Sequence, residues 1–568
     1  MTPDPIQLEI LHNALRSVTD ETYVALMRSA YSTNIKERHD HSTAVMDRQG
    51  RLVTQADMSF PTHLGSIMET METLLRKHPL DEMHEGDIFI ANDPHVAGGT
   101  HLPDVNMIQP VFAEGRLFAF LCNIAHHADM GGMHPGSMSS GMTEIYQEGL
   151  RIPVVRLFSR GTLIADVLDL VLLNVRVPEE RRGDYFAQVA ACRLGERRLL
   201  ELAGLHGVST LEAAFDDIIG RTARRMRDAV ATIPDGDYRF DDVMDDDGLG
   251  TFDIPVCVRI SKRGDRIRLD FSDSGDQVRG NINSVFNASR SSACYVLKAL
   301  LDPNIANNQG VHDAIEVVCA KGRIMNAAFP AAVAARNHVC QRIVDVVIGA
   351  LAAAIPDRVV AAANGSNTSI VFSGVDPRHG RPYVYFETLG GGFGGRAAKD
   401  GRDGVQVHIT NTSNLPVEAI EMEYPLQVEE YGFVPDSAGP GRFRGGLGLR
   451  RVVRPVDHVC DFNGVGERFR HQPWGLFGGE PGATGRFLVR GNDGTTELLA
   501  AKTASHAVRP DQVLVAETPG AGGYGPPAER DAASLARDRQ SGKFSNEYLA
   551  HAYPGSNGGG GHGTQEGA

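Results

Sequence analysis

Tryptophan occurs once in 568 residues, and the seven cysteines are scattered without a C-x-x-C pair among them. This excludes a zinc ribbon or a thioredoxin-type redox pair, and an odd, dispersed set does not make a disulfide framework, so a reducing compartment is expected. No run of Lys and Arg with interleaved aromatics occurs, and the formal net charge is −15. Both facts argue against nucleic acid or an anionic membrane surface as the main partner. No apolar run reaches the roughly 20 residues of a membrane span. The amino terminus, Met1-Thr2-Pro3-Asp4-Pro5, is polar and carries a helix start where a signal peptide needs an apolar core, so a cytoplasmic, soluble protein is expected. Neither G-x-x-x-x-G-K-[ST] nor G-x-S-x-G is present, which sets aside a P-loop nucleotide site and a serine-elbow hydrolase.

Glycine, in contrast, is plentiful at 63 residues, and points to many tight turns in a sheet-containing fold. The length implies about two to four folding units. Asp4 before Pro5 is a capping carboxylate ahead of a proline at the first helical position, and an apolar stripe continues to about Tyr31. Strands are expected at 42–47 and 51–56 around an Asp47–Gly50 turn, then a helix at 67–78 and a short strand at 87–91. Helical patterns recur at 163–175, 186–202 and 211–231, and a strand-rich stretch runs over 238–272. Apolar helices follow at 291–301 and 340–354, with strands at 383–388 and 406–410. The division expected is a site-bearing region at 1–235, a second α/β region at 236–530, and a mobile Gly-rich tail at 531–568. The stretch Gly390-Gly391-Gly392-Phe393-Gly394-Gly395 has the form G-x-G-x-x-G after a strand, but 397–401 returns to a turn. A dinucleotide loop needs a helix behind its glycines, so none is expected, and any ATP belongs on another subunit.

Two segments concentrate imidazoles and carboxylates among glycines and prolines: Asn92 through Asp104, and Ala125-His126-His127-Ala128-Asp129-Met130-Gly131-Gly132. Such a supply suits one divalent ion, zinc, manganese or iron. The apolar runs 107–112 and 117–124 flank Ala113-Glu114-Gly115-Arg116, which is hairpin chemistry. A two-residue turn sets Asp104 opposite Ala125, and a three-residue turn sets it opposite His126. Either register brings His101, Asp104 and His126 to one end of one hairpin, while the face each side chain takes stays open. His127 and Asp129 are further candidates, as ligands or as groups that orient them.

These motifs, together with Asn34-Ile35-Lys36-Glu37-Arg38-His39-Asp40-His41-Ser42, Glu144 through Pro153, Glu387 through Gly392, Arg444-Gly445-Gly446-Leu447-Gly448 and Thr518 through Gly525, resemble the hydantoinase B family. The likeness covers about residues 4 to 530. It implies a mixed α+β, multi-layer hydantoinase B-like fold with mixed and antiparallel sheets and peripheral helices. It also implies a metal held by Asp40, His101, Asp104 and His126; Asp40 enters through the resemblance alone, and His39 and His41 beside it depart from the expected pattern. The activity implied is ring opening of a hydantoin, N-methylhydantoin, 5-oxoproline or lactam. It is shared with a hydantoinase A-like subunit that binds ATP and Mg in a hetero-oligomer with two copies of each. In this reading His127 or Asp129 accepts a proton and Glu148 contacts the ring nitrogen. The alternatives are a subunit of an ATP-dependent ketone carboxylase of the acetone or acetophenone type, and a scaffold with a purely structural metal.

Overall fold

The computed structural model describes residues 4–554. The first helix, α1 (Pro5–Ser29), starts as its sequence requires: the Asp4 side chain accepts from Ile6 N, and Pro5 occupies the first turn. Beyond it a seven-stranded antiparallel sheet has the order β2-β1-β5-β4-β3-β6-β7. Its strands are β1 (His41–Asp47), β2 (Leu52–Gln55), β3 (Ile88–Ala91), β4 (Asp104–Ala113), β5 (Arg116–His126), β6 (Val155–Ser159) and β7 (Thr162–Leu163). Both faces are covered, which is why its central strands read as unbroken apolar runs. Val45 and Leu121 pack with Leu11, Leu15 and Leu199 from α1 and a long helix, α3 (Pro178–His206). Their neighbours Ala44, Met46, Phe120 and Cys122 pack on the other face with Ile67, Met71 and Leu74 of α2 (Pro61–Lys77). This is the period of two expected of a strand.

The hairpin register combines features of both expected turns. Ala113 pairs with Arg116 across a two-residue turn, and Glu114 and Gly115 both take positive φ. A bulge between Val111 and Phe112 then shifts the ladder by one residue, so that Asp104 faces His126.

The helix α4 (Val208–Ala231) leads into a second sheet with the order β11-β10-β9-β8, formed by β8 (Gly236–Asp246), β9 (Phe252–Arg263), β10 (Arg266–Asp270) and β11 (Ile315–Val318). The helices α5 (Phe286–Leu301) and α6 (Asn337–Leu351) pack on it. One buried cluster runs from Ile88 to Val465, so the chain near residue 235 passes between elements that share a core. Two antiparallel sheets complete the layers. One has the order β13-β12-β16-β19, the other β14-β15-β20-β17-β18. Their strands are β12 (Thr368–Asp376), β13 (Arg381–Leu389), β14 (Leu426–Phe433), β15 (Leu449–Pro455), β16 (Cys460–Val465), β17 (Arg486–Gly491), β18 (Thr496–Leu499), β19 (Lys502–Val508) and β20 (Gln512–Glu517).

The many glycines have a specific use. Extended segments around 361–364, 390–396, 439–448 and 519–525 lie directly against one another, joined by main-chain bonds such as Gly395 N to Gly522 O and Gly446 N to Phe393 O. A Cβ on Gly394 would sit 1.8 Å from Ala361 O, and one on Gly446 1.8 Å from Arg402 O. Backbone packs on backbone here, and no other residue fits. The G-x-G-x-x-G stretch belongs to this layer, with no helix behind it.

Two expectations are corrected. The segment 406–410 is not a strand: its backbone is irregular and turns at 408–409, where His408 takes positive φ, and Ile409 and Thr410 line the cavity described below. The stretch after 530 is ordered at least to residue 554. Helices α7 (Ala532–Gln540) and α8 (Asn546–Ala552) bury Leu535, Phe544, Leu549 and Tyr553 with Ala438 and Leu447. The glycine-rich part of the expected tail, 555–568, lies outside the described residues.

Candidate metal centre

Three adjacent strands deliver the site. Asp40 immediately precedes β1, Asp104 opens β4 and His126 closes β5, and the order β1-β5-β4 places all three at one end of the sheet. The main chain joins them, with His126 N donating to Asp40 O at 3.0 Å. His101 stands three residues ahead of Asp104. Among the described residues, His101, Asp104 and His126 form the one group of histidine, cysteine or carboxylate side chains suited to a metal, with ligand atoms within 4.8 Å of one another. Asp40 lines the same cavity.

The local hydrogen bonds decide which atoms are available. His101 Nδ1 donates to Ala334 O at 2.9 Å, which leaves the Nε2 lone pair facing Asp104 Oδ2 at 3.1 Å. Asp104 Oδ2 accepts from Thr100 Oγ1 at 2.8 Å and from Arg336 at 2.6 Å. His101 Nε2 and Asp104 Oδ1 have no hydrogen-bond partner although both are buried. Two orphaned acceptors side by side, one imidazole and one carboxylate, are what a cation would satisfy. His126 stacks on Phe386, with ring centroids 5.0 Å apart, and Asn34 Nδ2 lies 3.0 Å from its Nδ1.

Electrostatics favours neutral imidazoles beside an ionised carboxylate. Burial lowers the pKa of His101, with Arg336 adding to the effect, and lowers His126 further still. Burial opposes ionisation of Asp104, but the opposing charge packed around it, the Arg336 guanidinium at 2.6 Å above all, outweighs it and holds the carboxyl well below its ordinary value. Burial raises Asp40 against the pull of Arg38 and His63. Neutral imidazole and carboxylate are the forms that ligate divalent metals.

The other sequence-derived candidates lie elsewhere. His127 turns away from the cavity: its Nε2 is 3.0 Å from Gln188 Oε1, its ring stacks on Tyr185, and burial lowers it to about 4. Adjacent residues of a strand end point to opposite sides, and His126 takes the inner one. Asp129 ties down a loop, accepting from Gly131 N and Gly136 N and pairing with Arg176. Glu148 Oε1 accepts from Val333 N at 2.6 Å and Ala334 N at 2.7 Å. It therefore holds Ala334 by its N–H, the residue whose carbonyl orients His101. The roles expected for these three, proton acceptor and ring contact, do not fit this placement. His41 is buried against Tyr23, and neither it nor His39 lines the cavity.

Several cavity residues carried no sequence signal. His63, two residues into α2, sits with its Nε2 3.5 Å from Asp104 Oδ1 and 3.9 Å from Asp40 Oδ1. Arg336, Asn337, Asn367, Thr388 and Thr410 come from the second half of the chain. A buried histidine just behind Pro61 was the one local hint. The rest are ordinary polar residues until the halves meet.

A buried pair of imidazoles and a pair of carboxylates converge on a cavity between the two halves of one chain, an arrangement that could hold a divalent metal. The chain belongs to the hydantoinase B/oxoprolinase family, whose family model matches residues 4–527. It is therefore an enzyme, of a family named for hydrolases of cyclic amides. An uncharacterized protein of Methanocaldococcus jannaschii is 36% identical over 95% of this chain and 94% of its own. The caprolactamase subunit beta of Pseudomonas jessenii is 31% identical over 96% and 94%. The crystal structure of the ATP-dependent caprolactamase from Pseudomonas jessenii superposes with a TM-score of 0.91 at 28% identity, covering 97% of this chain and 96% of that one. A nucleotide-free acetone carboxylase shares the fold, with a TM-score of 0.87 at 19% identity over 97% and 79%.

Proposed function

We propose that the chain is the metal-dependent subunit of an ATP-dependent cyclic-amide hydrolase, which opens a hydantoin, N-methylhydantoin, 5-oxoproline or lactam ring together with an ATP-binding partner subunit. The observation that carries this is the pair of orphaned acceptors, His101 Nε2 and Asp104 Oδ1, in a cavity that Asp40 and His126 also line. Asp40, His101, Asp104 and His126 would hold one zinc, manganese or iron ion. When bound, such an ion supplies a water of lowered pKa, toward about 7 for zinc, and polarises an oxygen of the substrate.

The chain's own residues prepare that chemistry. Ala334 O keeps the proton of His101 on Nδ1, and Glu148 keeps Ala334 in place. Arg336 and Thr100 fix the Asp104 carboxylate. Phe60, Met138, Phe386 and Ile409 wall the cavity with apolar surface. An amide carbonyl is resonance-stabilised, and activation by ATP relieves that; the chain lacks a P-loop, and the named relatives include a beta subunit. A partner of the hydantoinase A type, with ATP and Mg, in a complex with two copies of each chain, follows from this reading.

The test is co-expression with an A-type partner, metal analysis, and turnover of hydantoins, 5-oxoproline and small lactams with and without ATP. Ring opening that needs ATP, the metal and His101 is expected. Full metal content and full turnover in His101→Ala would sink the assignment. ATP-dependent incorporation of bicarbonate into a ketone without ring opening would move the chain to the carboxylase reading, for which the acetone carboxylase likeness supplies the fold alone.

A further inference from the structure

A second cavity, of about 700 Å³, shares no lining residue with the metal centre. That volume is in the range of small-molecule sites. Its walls are α1, the end of β2, α4, the end of α5 and the loop 303–307. Along β2, Val53 packs with Leu8, Leu11, Leu211 and Ile218 between α1 and α4. Gln55, two residues on, takes the same face of the strand, so a carboxamide stands where the pattern calls for another apolar side chain. It is 6% exposed, and neither its Nε2 nor its Oε1 has a hydrogen-bond partner. His12 Nε2, from α1, is buried and unpartnered in the same cavity, and burial lowers the pKa of its ring. Buried donors and acceptors left unpaired are costly, and each calls for a partner.

The charges make a second, independent case. Arg16 pairs with Asp57, Arg221 with Asp217 at 2.5 Å and Arg225 with Asp302 at 2.6 Å. With all three guanidinium groups engaged, no cluster is left free for a polyphosphate. Glu9 is exposed and accepts from Asn13. Lys298 is half-buried and has no hydrogen-bond or ion-pair partner among the described residues. One ammonium and one carboxamide therefore remain to be satisfied. A carboxamide offers donor and acceptor side by side. An amide closed into a ring is cis, with its N–H and C=O on one side, and makes two hydrogen bonds with such a group. We propose that this cavity is a second small-molecule site, which takes a cyclic amide bearing a carboxylate, the ring amide on Gln55 and the carboxylate on Lys298. Leu8, Ile218 and Ile305 supply apolar wall for the ring carbons. The proposal does not rest on the metal assignment.

The test is calorimetric titration of the full-length, metal-stripped chain with three probes. These are 5-oxoproline, 2-pyrrolidinone, which keeps the ring amide and lacks the carboxylate, and cyclopentanecarboxylate, which does the opposite. One 5-oxoproline per chain is expected, bound about tenfold or more tightly than either fragment. Gln55→Met keeps the length of the side chain and removes both polar atoms, and Lys298→Met removes the charge. Each is expected to weaken 5-oxoproline about tenfold or more, with folding followed by near-ultraviolet circular dichroism. His101→Ala should bind it as the wild type does, since the metal centre is separate. No binding of 5-oxoproline, an affinity matched by either fragment, binding that either folded variant leaves intact, or binding lost in a folded His101→Ala overturns the site. ATP-dependent ring opening by the complex without binding in this cavity refutes the site and spares the proposed reaction. Binding here with no ring opening does the reverse.

Discussion

Glu148 offers a sharp test of how the centre is held together. Its Oε1 takes the N–H groups of Val333 and Ala334 at 2.6 and 2.7 Å, and it is fully buried. Glu148→Ala leaves both N–H groups unpaired, at about 1–3 kcal/mol each, so roughly 2–6 kcal/mol of stability is lost. It also frees the Ala334 carbonyl that orients His101, and loss of such a partner lowers metal affinity roughly 10–100-fold. Glu148→Gln keeps an acceptor oxygen and is expected to cost less than about 1.5 kcal/mol. The two variants part further with pH. Burial raises the Glu148 carboxyl from 4.5 to about 8, against the opposing N–H groups of Ala334 and Val333. The folded chain thus holds this proton more tightly than the unfolded chain. Its contribution is complete below about pH 4.5 and is lost as pH rises through 8, by at most about 5 kcal/mol at about 1.4 kcal/mol per pH unit. Urea denaturation at pH 5, 7 and 9 measures this, with metal affinity by competition against a chelating dye. If Glu148→Ala lost less than about 1 kcal/mol with metal affinity unchanged, or if Glu148→Gln followed the wild-type pH slope, the reasoning would be refuted.

Asp104→Asn removes a proposed metal ligand and leaves Arg336 buried beside a neutral group, so a loss of about 3–5 kcal/mol is expected, with loss of bound metal if the proposal holds; denaturation and elemental analysis read both. His127→Phe orphans Gln188 Oε1 and should cost about 1–3 kcal/mol, yet metal content and turnover should stay within a few-fold of wild type; a collapse of turnover in a stable, metal-replete variant would restore His127 as proton acceptor. Gly394→Ala drives a methyl into Ala361 O, and a loss of more than about 3 kcal/mol or failure to fold is expected. Truncation after Pro527 exposes the partners of Leu535, Phe544 and Leu549, each worth about 1.5–3 kcal/mol when buried; an unchanged Tm would show that α7 and α8 add nothing.

Much of the sheet was legible because its signals are local. Asp4-Pro5 starts a helix, Glu114-Gly115 closes a hairpin, and buried strands announce themselves as apolar runs. The Val111 bulge was not legible, yet it chooses His126 over Ala125 as the partner of Asp104. The expected tail failed for a related reason. Leu535, Phe544 and Leu549 are too sparse to form a stripe of their own and become buried only against Ala438 and Leu447, about a hundred residues earlier.

By itself the sequence determined the chemistry available: ligand-capable side chains on two turns, joined by a hairpin that had to bring His101, Asp104 and His126 together, with no nucleotide loop of its own. Tertiary structure decided the rest. It set the inward face for His126 and the outward one for His127, since alternation along a strand depends on register, and register depended on a bulge. It also brought His63, Arg336, Asn337 and Thr410 to the cavity, because residues from opposite halves of a chain acquire a joint role only when the packed core places them within reach of one another.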